Sequence, residues 1–378
     1  MINPEKINCC GCGICAEGCP VQAIKIEPDE DGFLYPAVNL AKCINCSKCE
    51  HLCAFNNLND AVLSKRTIVA RHKSDDVCKN STSGGMFTAI SDVFLNNNGS
   101  VYSPMFNAEM YLRHECITDC KERDFSRGSK YVQSDIHLSL SKFVNDLKEK
   151  RLVAFFGTPC QISAVKSLVP NDLQNNLFTI DVVCNGVGSP LYWKQHKDKI
   201  EKKYRDSMIN YIFRPKKHGY LTQSEIAIFK SCREKEILSD IDRYNVIYYN
   251  RLIMRPCCSN CRYCSSNRVS DITIADYSKA ERKKLPFNVE YGVSTLLINT
   301  DKGTELFNKF RKDVEYKEVN FKAVQQVRLM QCTSFNPESV EFLNNCKVYG
   351  IDIALKKHFD FAKRVKIKLV EIYRRMIL

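Results

Sequence analysis

Short apolar runs and segments with helical spacing follow one another along most of the chain. The run Leu152–Phe156 and the later segment "NLFTIDVV" are both apolar and end at turn residues, so each predicts a buried strand. A loop follows each run, and helical spacing then begins near Cys160 and at Pro190. Two successive strand-loop-helix units predict an α/β layer with a ligand crevice at the carboxyl ends of the strands.

Similar patterns extend toward the start of the chain. "TIVARH" predicts a strand, residues 85–96 and 135–149 predict helices, and the polar stretch "FNNLNDAVLSKR" predicts a linker before them. Nearer the start, "AIKIE" and "FLYPAV" flank "PDEDG", which predicts two strands joined by an Asp-Gly turn. The predicted fold class is therefore a small α+β domain joined to an α/β body.

Composition narrows the class of protein. A chain of 378 residues with 44% hydrophobic and 26% charged residues is long enough for two or three globular domains. No stretch resembles a signal peptide or reaches the length of a membrane span, which predicts a cytoplasmic location. The 21 cysteines are clustered, which favours reduced thiolates that bind metal over disulfides.

Charge is distributed unevenly. Residues 1–60 carry four basic and eight acidic side chains, a net charge of −4, whereas the whole chain carries +13. An acidic module on a basic body suits anionic cofactors, an acidic redox partner or an anionic surface. Nucleic acid is the competing interpretation of the basic excess. The chain has no helix-turn-helix or aromatic ribonucleoprotein motif, so we predict no nucleic-acid partner.

Two cysteine runs near the start share one spacing. "CCGCGICAEGCP" and "CINCSKCEHLCA" both contain C-x2-C-x2-C-x3-C, in which three close cysteines bind one 4Fe-4S cluster and the fourth binds the other. The spacing predicts one cluster held by Cys9, Cys12, Cys15 and Cys53, and a second held by Cys43, Cys46, Cys49 and Cys19.

This stretch resembles a bacterial-type two-cluster ferredoxin domain, except that Ala54 stands where that family usually has proline. Paired zinc knuckles are the alternative, but zinc does not need the third cysteine of each run. Cys10 fits neither ligand set and is left as a spare.

Further cysteines occur in the body. Cys160 and Cys184 stand at the ends of the two predicted strands, and "RPCCSNCRYC" contributes Cys257, Cys258, Cys261 and Cys264. By spacing alone the last three could supply ligands to one further 4Fe-4S cluster, although a lone C-x2-C is more often structural zinc. The two thiols at the strand ends make the two interpretations about equal.

A glycine loop precedes the helix predicted at 85–96. Ser83, Gly84 and Gly85 leave backbone amides that can face a phosphate group. An ordinary helix N-cap explains the same residues and is favoured by this motif alone.

An ordered series of motifs between about residues 67 and 300 resembles the coenzyme F420 hydrogenase/dehydrogenase beta-subunit family. The motifs are "STSGG", "GSKYVQSD", "GTPCQI", "CNGVGSP", "FRPKKHGY", "RPCCSNCRYC", "DITIADY" and "GVSTLLINT". The resemblance implies an FAD that exchanges hydride and a third 4Fe-4S cluster beside it that handles single electrons. It implies FAD contacts at Ser83, Gly84, Gly85, Lys130, Thr158, Gln161 and Asn185. It implies cluster ligands at Cys160, Cys184, Cys258 and Cys261, with Cys264 as the alternate fourth ligand.

The predicted function is that of an iron-sulfur flavoprotein oxidoreductase. Electrons would pass between 4Fe-4S clusters and a hydride carrier or small organic substrate through FAD, with a ferredoxin or another oxidoreductase subunit as redox partner. The resemblance also implies chains of this kind in bacteria without coenzyme F420, some beside surface-polysaccharide enzymes. Asn185 and Tyr220 replace the histidine and tryptophan common in the family, so the alternative is an electron-transfer or scaffold subunit without flavin.

The predicted domains are residues 1–60 for the ferredoxin, 67–150 and 151–300 for two parts of the flavoprotein body, and 301–378 for its completion. The last domain ends in "LKKHFDFAKRVKIKLVEIYRRMIL", whose apolar residues recur at helical spacing and whose net charge is +6. A helix docked on the body is the favoured interpretation. A helix that contacts the inner membrane face, or docks a partner enzyme, is the alternative.

Overall fold

The computed structural model describes residues 2–217, 224–237, 244–277, 280–363, 365 and 369. In this part of the chain, no helix combines the length and the apolar character that a membrane crossing needs. The strands are β1 (Ile24–Pro28), β2 (Leu34–Val38), β3 (Arg66–His72), β4 (Ser100–Phe106), β5 (Leu112–Ile117), β6 (Val153–Gly157), β7 (Leu177–Val182), β8 (Met208–Ile212), β9 (Glu225–Phe229), β10 (Glu234–Ile237), β11 (Ile272–Asp276), β12 (Ser294–Ile298) and β13 (Val314–Glu318). The helices are α1 (Ile14–Glu17), α2 (Lys48–Leu52), α3 (Asp75–Lys79), α4 (Met86–Leu95), α5 (Cys120–Phe125), α6 (Leu140–Lys148), α7 (Pro159–Leu168), α8 (Pro190–Tyr204), α9 (Tyr244–Tyr249), α10 (Asp301–Phe310), α11 (Phe321–Val324), α12 (Glu338–Tyr349) and α13 (Ile351–His358).

The body is a mixed α/β fold, which confirms the predicted fold class. Its main sheet has eight strands in the order β13-β3-β12-β11-β7-β6-β4-β5. β4, β6, β7 and β11 are parallel to one another, and their neighbours β5 and β12 run antiparallel to them. β3 pairs antiparallel with both β12 and β13, so it runs in the same direction as the parallel strands. The strand-loop-helix pairs β6–α7 and β7–α8 confirm the two predicted units. A separate sheet has the order β10-β9-β8.

The main sheet is buried on both faces, as its apolar strands predict. Along β6, Ala154 and Phe156 face a core that includes α4 and α10, whereas Val153 and Phe155 face a second core that includes α6 and α7. Because side chains alternate between the faces of a strand, one apolar run supplies both cores.

The small N-terminal domain is an internal repeat at the level of its backbone. β1 and β2 form the predicted antiparallel pair, with Ile24 opposite Val38. The two cysteine loops adopt the same left-handed conformations, with Gly11 and Gly13 in the first loop matched by Asn45 and Ser47 in the second. A Cβ atom at Gly13 would lie 2.6 Å from the Cβ of His137, so the first loop requires glycine there. The second loop accepts Asn and Ser because they tolerate this region of φ and ψ better than most residues.

The predicted linker joins the two domains, and its first residue, Phe55, packs in the core of the body. Ala54 and Phe55 are buried and share the core of α6 and α7, together with Ile14 from α1. The Nδ2 of Asn59 donates to the carbonyl of Ser163 at 2.7 Å. The stretch is polar because its side chains form hydrogen bonds along the body surface.

The C-terminal segment lies partly outside the described residues. Leu355 and Phe359 are buried on the body, whereas Val365 and Leu369 are exposed. The later positions of the predicted apolar stripe, Ile372, Tyr373 and Met376, lie outside the described residues.

A buried ion pair attaches the cysteine-rich loop before β11 to the main sheet. Nη2 of Arg268 donates to Oδ2 of Asp181 at 2.8 Å, and both side chains are almost inaccessible to solvent. Nη1 of Arg268 also donates to the carbonyls of Tyr263 and Ser265 within the loop. The charge of Arg268 is thus balanced inside the protein.

We expect Asp181→Asn to destabilise the protein strongly. The substitution preserves the shape of the side chain but leaves a buried guanidinium without its charge partner, at a cost of about 3–5 kcal/mol in unfolding free energy. The matched control is Asp301→Asn, which removes the exposed partner of Lys65 and costs at most about 1 kcal/mol. Thermal and chemical denaturation of both variants measure the difference, and equal losses would contradict it.

Candidate functional site

The first thiol set, Cys9, Cys12, Cys15 and Cys53, lines one apolar cavity. Cys9 and Cys12 lie in the loop before α1, Cys15 lies within α1, and Cys53 is the C-cap residue of α2. The cavity has a volume of about 410 Å³, and its walls include Ile14, Ile26 and Phe55. Sequence spacing therefore identified four residues that folding brings to one place.

Electrostatics disfavour free thiolates at Cys9 and Cys15 of the first thiol set. Burial raises the pKa of Cys9 to about 11, against an opposing effect of Arg255. Burial also raises the pKa of Cys15, and the neighbouring Cys12, Cys9 and Cys53 add to the rise. A bound metal would supply the positive charge that these thiolates lack, so the set suits a metal centre.

The second thiol set, Cys19, Cys43, Cys46 and Cys49, is more open to solvent. Cys46 is exposed. Cys19 and Cys49 pack in the apolar cluster that also contains Cys15 and Cys53. The two sets are therefore neighbours, and the second lies nearer the surface.

A third group of thiols lines a larger cavity, called here the thiol cavity, of about 640 Å³. Cys160 lies in the first turn of α7 directly after β6, and Cys184 lies directly after β7. The 3-10 turn Pro256–Asn260 and the loop after it supply the others. The cysteines that line this cavity are Cys10, Cys160, Cys184, Cys257, Cys258, Cys261 and Cys264. All four ligands implied by the family resemblance, and the alternate Cys264, are among them.

Cys10 is the residue that sequence reasoning missed. It lines both the cavity of the first thiol set, with Cys12, and the thiol cavity, with Cys160. The only sequence signal for Cys10 comes from comparing the two cysteine runs with each other. The equivalent position of the second cysteine run is Ile44, which is exposed, so the first run differs where it meets the body.

Arg255 stands between the first thiol set and the thiol cavity. Its Nε donates to the carbonyl of Cys9 and its Nη2 to the carbonyl of Leu34, both at 2.8 Å. Its Nη1 donates to Oε1 of Gln133 at 2.8 Å. The Tyr35 ring lies 4.3 Å from the guanidinium carbon. One buried side chain thus joins both domains beside their thiols.

Two FAD contacts implied by the resemblance lie at the thiol cavity. Thr158 and Gln161 form the capping box of α7, and both line the cavity. Asn185 lies next to it, where its Oδ1 accepts from Nε of Arg328 at 2.7 Å and its carbonyl accepts from Oγ1 of Thr333 at 2.6 Å. Tyr220 lies outside the described residues.

The remaining implied contacts lie at the glycine loop, Ser83–Gly85, which precedes α4. A Cβ atom at Gly84 would lie 2.6 Å from the carbonyl oxygen of Ala70, and Gly85 has a φ of +83°. The strands there, β3 and β12, end and begin at the edge where the parallel strands end. The glycine loop and the thiol cavity therefore share one edge of the sheet.

Two lysines border the glycine loop. Nζ of Lys130 donates to the carbonyls of Ser126, Arg127 and Gly128, and desolvation lowers the pKa of Lys130 to about 7. Nζ of Lys216 donates to the carbonyl of Ser83 at 2.7 Å, and desolvation also lowers its pKa to about 7. An anion beside these amines would favour their charged forms. Lys216 was not assigned from the sequence, although it lies in a motif of the resemblance.

A tyrosine cluster spans the edge between the glycine loop and the thiol cavity. The rings of Tyr131 and Tyr248 lie 4.5 Å apart, and Oη of Tyr249 donates to Oη of Tyr131 at 3.0 Å. Oη of Tyr248 donates to the carbonyl of Gly186, a residue that lines the thiol cavity, at 2.9 Å. Tyr131 follows Lys130 directly, so one short segment connects the two places.

Comparisons with known proteins match two separate parts of the chain. Residues 8–57 match the 4Fe-4S dicluster domain, and residues 150–323 match the C terminus of the coenzyme F420 hydrogenase/dehydrogenase beta subunit. A chain of the xenon-derivatised F420-reducing NiFe hydrogenase complex from Methanosarcina barkeri is similar over 80% of this chain and 94% of its own, with 17% sequence identity and a TM-score of 0.47. No curated protein matches the sequence. The chain therefore combines an N-terminal 4Fe-4S dicluster domain, over residues 8–57, with a segment, over residues 150–323, that matches the C-terminal region of the coenzyme F420 hydrogenase/dehydrogenase beta subunit.

Proposed function

We propose that this protein is an iron-sulfur flavoprotein oxidoreductase that transfers electrons between its 4Fe-4S clusters and a hydride carrier or organic substrate through FAD. The observation that carries the proposal is the position of the thiol cavity. It lies next to the cavity of the first thiol set, and Cys10 lines both. A redox centre in that cavity would be adjacent to the ferredoxin domain.

The donors in the thiol cavity fit a third 4Fe-4S cluster. Among the described residues that line it, the only common metal ligands are cysteines, with no histidine or carboxylate. All-thiolate sets suit iron-sulfur clusters and structural zinc. Contact with an iron-sulfur domain favours the cluster, with Cys160, Cys184, Cys258 and Cys261 as the proposed ligands.

The edge of the sheet fits FAD. The glycine loop precedes the ten-residue helix α4, and Nζ of Lys216 donates to the carbonyl of Ser83 in that loop, an arrangement that suits an anionic phosphate. We assign FAD contacts to Ser83, Gly84, Gly85, Lys130, Thr158, Gln161 and Asn185. FAD exchanges hydride with one partner and single electrons with another. The described residues contribute binding and orientation.

The redox partner is proposed to contact the second thiol set. Leu40 and Ile44 are exposed beside Cys43 and Cys46, with 69% and 61% of their surface accessible. Exposed apolar residues around a centre that is open to solvent suit a ferredoxin or another oxidoreductase subunit.

A non-flavin electron-transfer or scaffold subunit is the second candidate. One observation favours it. Asn185, which replaces a histidine common in the family, has its Oδ1 bound by Arg328 and its carbonyl bound by Thr333. Both oxygens of Asn185 thus already accept hydrogen bonds from residues of the body.

Cofactor content separates the two candidates. We expect anaerobically purified protein to contain about twelve iron atoms for three cubanes and one FAD per chain. Iron and zinc are measured by elemental analysis, and flavin by the visible spectrum after denaturation. Fully iron-loaded protein without flavin would favour the scaffold. Zinc as the main metal would contradict both candidates.

We expect Cys160→Ala to remove one cubane, about four iron atoms, because the substitution deletes a ligand of the third cluster. The control is Cys120→Ser, which changes an exposed cysteine on α5 and should leave the iron content unchanged. Iron analysis of both variants gives the result. Unchanged iron in Cys160→Ala would make Cys160 a packing residue and would transfer the ligand role to Cys10 or Cys264.

A further inference from the structure

Arg255 is buried without a carboxylate partner. Only 1% of its surface is accessible, and its three hydrogen bonds end on neutral oxygens of Cys9, Gln133 and Leu34. Over the described part of the chain, no aspartate or glutamate lies within ion-pair distance of its guanidinium. Arginine remains charged in proteins, so the full positive charge is buried at the domain boundary.

Arg268 is a second buried arginine, and unlike Arg255 it has a carboxylate partner among the described residues. It lines the thiol cavity, as Arg255 does, and 2% of its surface is accessible. Its charge is balanced by Asp181 at 2.8 Å. A buried charge without an opposite charge costs several kcal/mol, so the difference between these two arginines needs an explanation.

Cysteines surround the guanidinium of Arg255. Its Nε donates to the carbonyl of Cys9, and Arg255 lines the thiol cavity together with Cys10 and Cys257. Cys9 belongs to the first thiol set, and Cys257 lines the thiol cavity next to Cys258. A cubane bound by four thiolates carries net negative charge, and that charge is one of the quantities that set its reduction potential.

The backbone is shaped around this guanidinium. A Cβ atom at Gly11, which has a φ of +69°, would lie 2.9 Å from Nη1 of Arg255 and 2.6 Å from the carbonyl oxygen of Leu34. The Tyr35 ring covers the guanidinium at 4.3 Å and the Phe33 ring lies at 5.4 Å. Residues of the small domain thus surround the guanidinium that Arg255 contributes from the body.

We propose that Arg255 is the counter-charge of the iron-sulfur clusters at the domain boundary, and that its buried guanidinium raises the reduction potential of the cluster in the first thiol set. This inference rests on the proposed function, since it takes the first thiol set to hold a cluster. Arg255 affects the reduction potential of the cluster through its own charge, so it is a positioning residue. The reduced cluster has one more negative charge than the oxidised one, so a nearby cation stabilises the reduced form more.

The test is a redox titration of the holoprotein followed by electron paramagnetic resonance. Arg255→Met removes the charge and keeps much of the side-chain volume, so the potential of the first cluster should shift to more negative values. The second cluster, farther from Arg255, should keep its potential and serves as an internal reference. Arg262→Met is the matched control, because Arg262 also crosses the boundary to the carbonyl of Phe55, at 2.6 Å, but is partly exposed.

A pair of further variants covers the case in which Arg255→Met does not fold. Arg255→Lys and Arg255→Gln both lose the three-way hydrogen bonding, but only lysine keeps the charge. A higher potential in Arg255→Lys than in Arg255→Gln supports the inference. Equal potentials in variants with normal iron content would overturn it. Loss of iron from the first thiol set of the unmodified protein would instead contradict the proposed function.

Discussion

Packing of the ferredoxin domain into the core of the body is the constraint on which the other sites depend. The carbonyl of Ala54 accepts a hydrogen bond from Oη of Tyr263 at 2.5 Å, and the rings of Phe55 and Tyr263 meet edge to face at 6.1 Å. Tyr263 lies between Cys261 and Cys264 on the loop that lines the thiol cavity. The loop that supplies thiols to the body therefore also holds the ferredoxin domain in place.

Topology brings the two ends of the site together. β6 and β7 are adjacent and parallel, so Cys160 and Cys184 follow neighbouring strand ends. β12 and β3 continue the same edge in antiparallel orientation and carry the glycine loop there. A parallel sheet needs helical crossovers, which bring successive strand ends back to one edge. Residues that are 100 positions apart in sequence, such as Gly84 and Cys184, therefore share one face of the protein.

Sequence reasoning succeeded where the chemistry is local and failed where it depends on docking. The spacing of the two cysteine runs predicted the first thiol set, because a short loop and one turn of helix determine where Cys9, Cys12 and Cys15 lie. Nothing local distinguishes Cys10 from a spare thiol, since its neighbour Cys160 is 150 residues away. Phe55 was assigned to a linker because polar residues surround it, although its side chain enters the body core. Lys216 lies near the glycine loop only after β8 has packed beside the main sheet. Each of these misses concerns a contact between distant segments, which periodicity and spacing do not encode.

Solvent exposure of the thiols is greater in the second thiol set than in the first thiol set or the thiol cavity. Cys46 in the second thiol set is exposed, Cys15 in the first set is buried, and Cys184 lies in a cavity where burial raises its pKa to about 12. A centre open to solvent can exchange electrons with a separate protein, whereas a buried one can exchange only with its neighbours. Under the proposed function, a protein partner therefore acts at the second set, and hydride exchange belongs at the opposite end, beside the glycine loop. The first set lies between them, where Arg255 adds a positive charge to the one step that crosses the domain boundary.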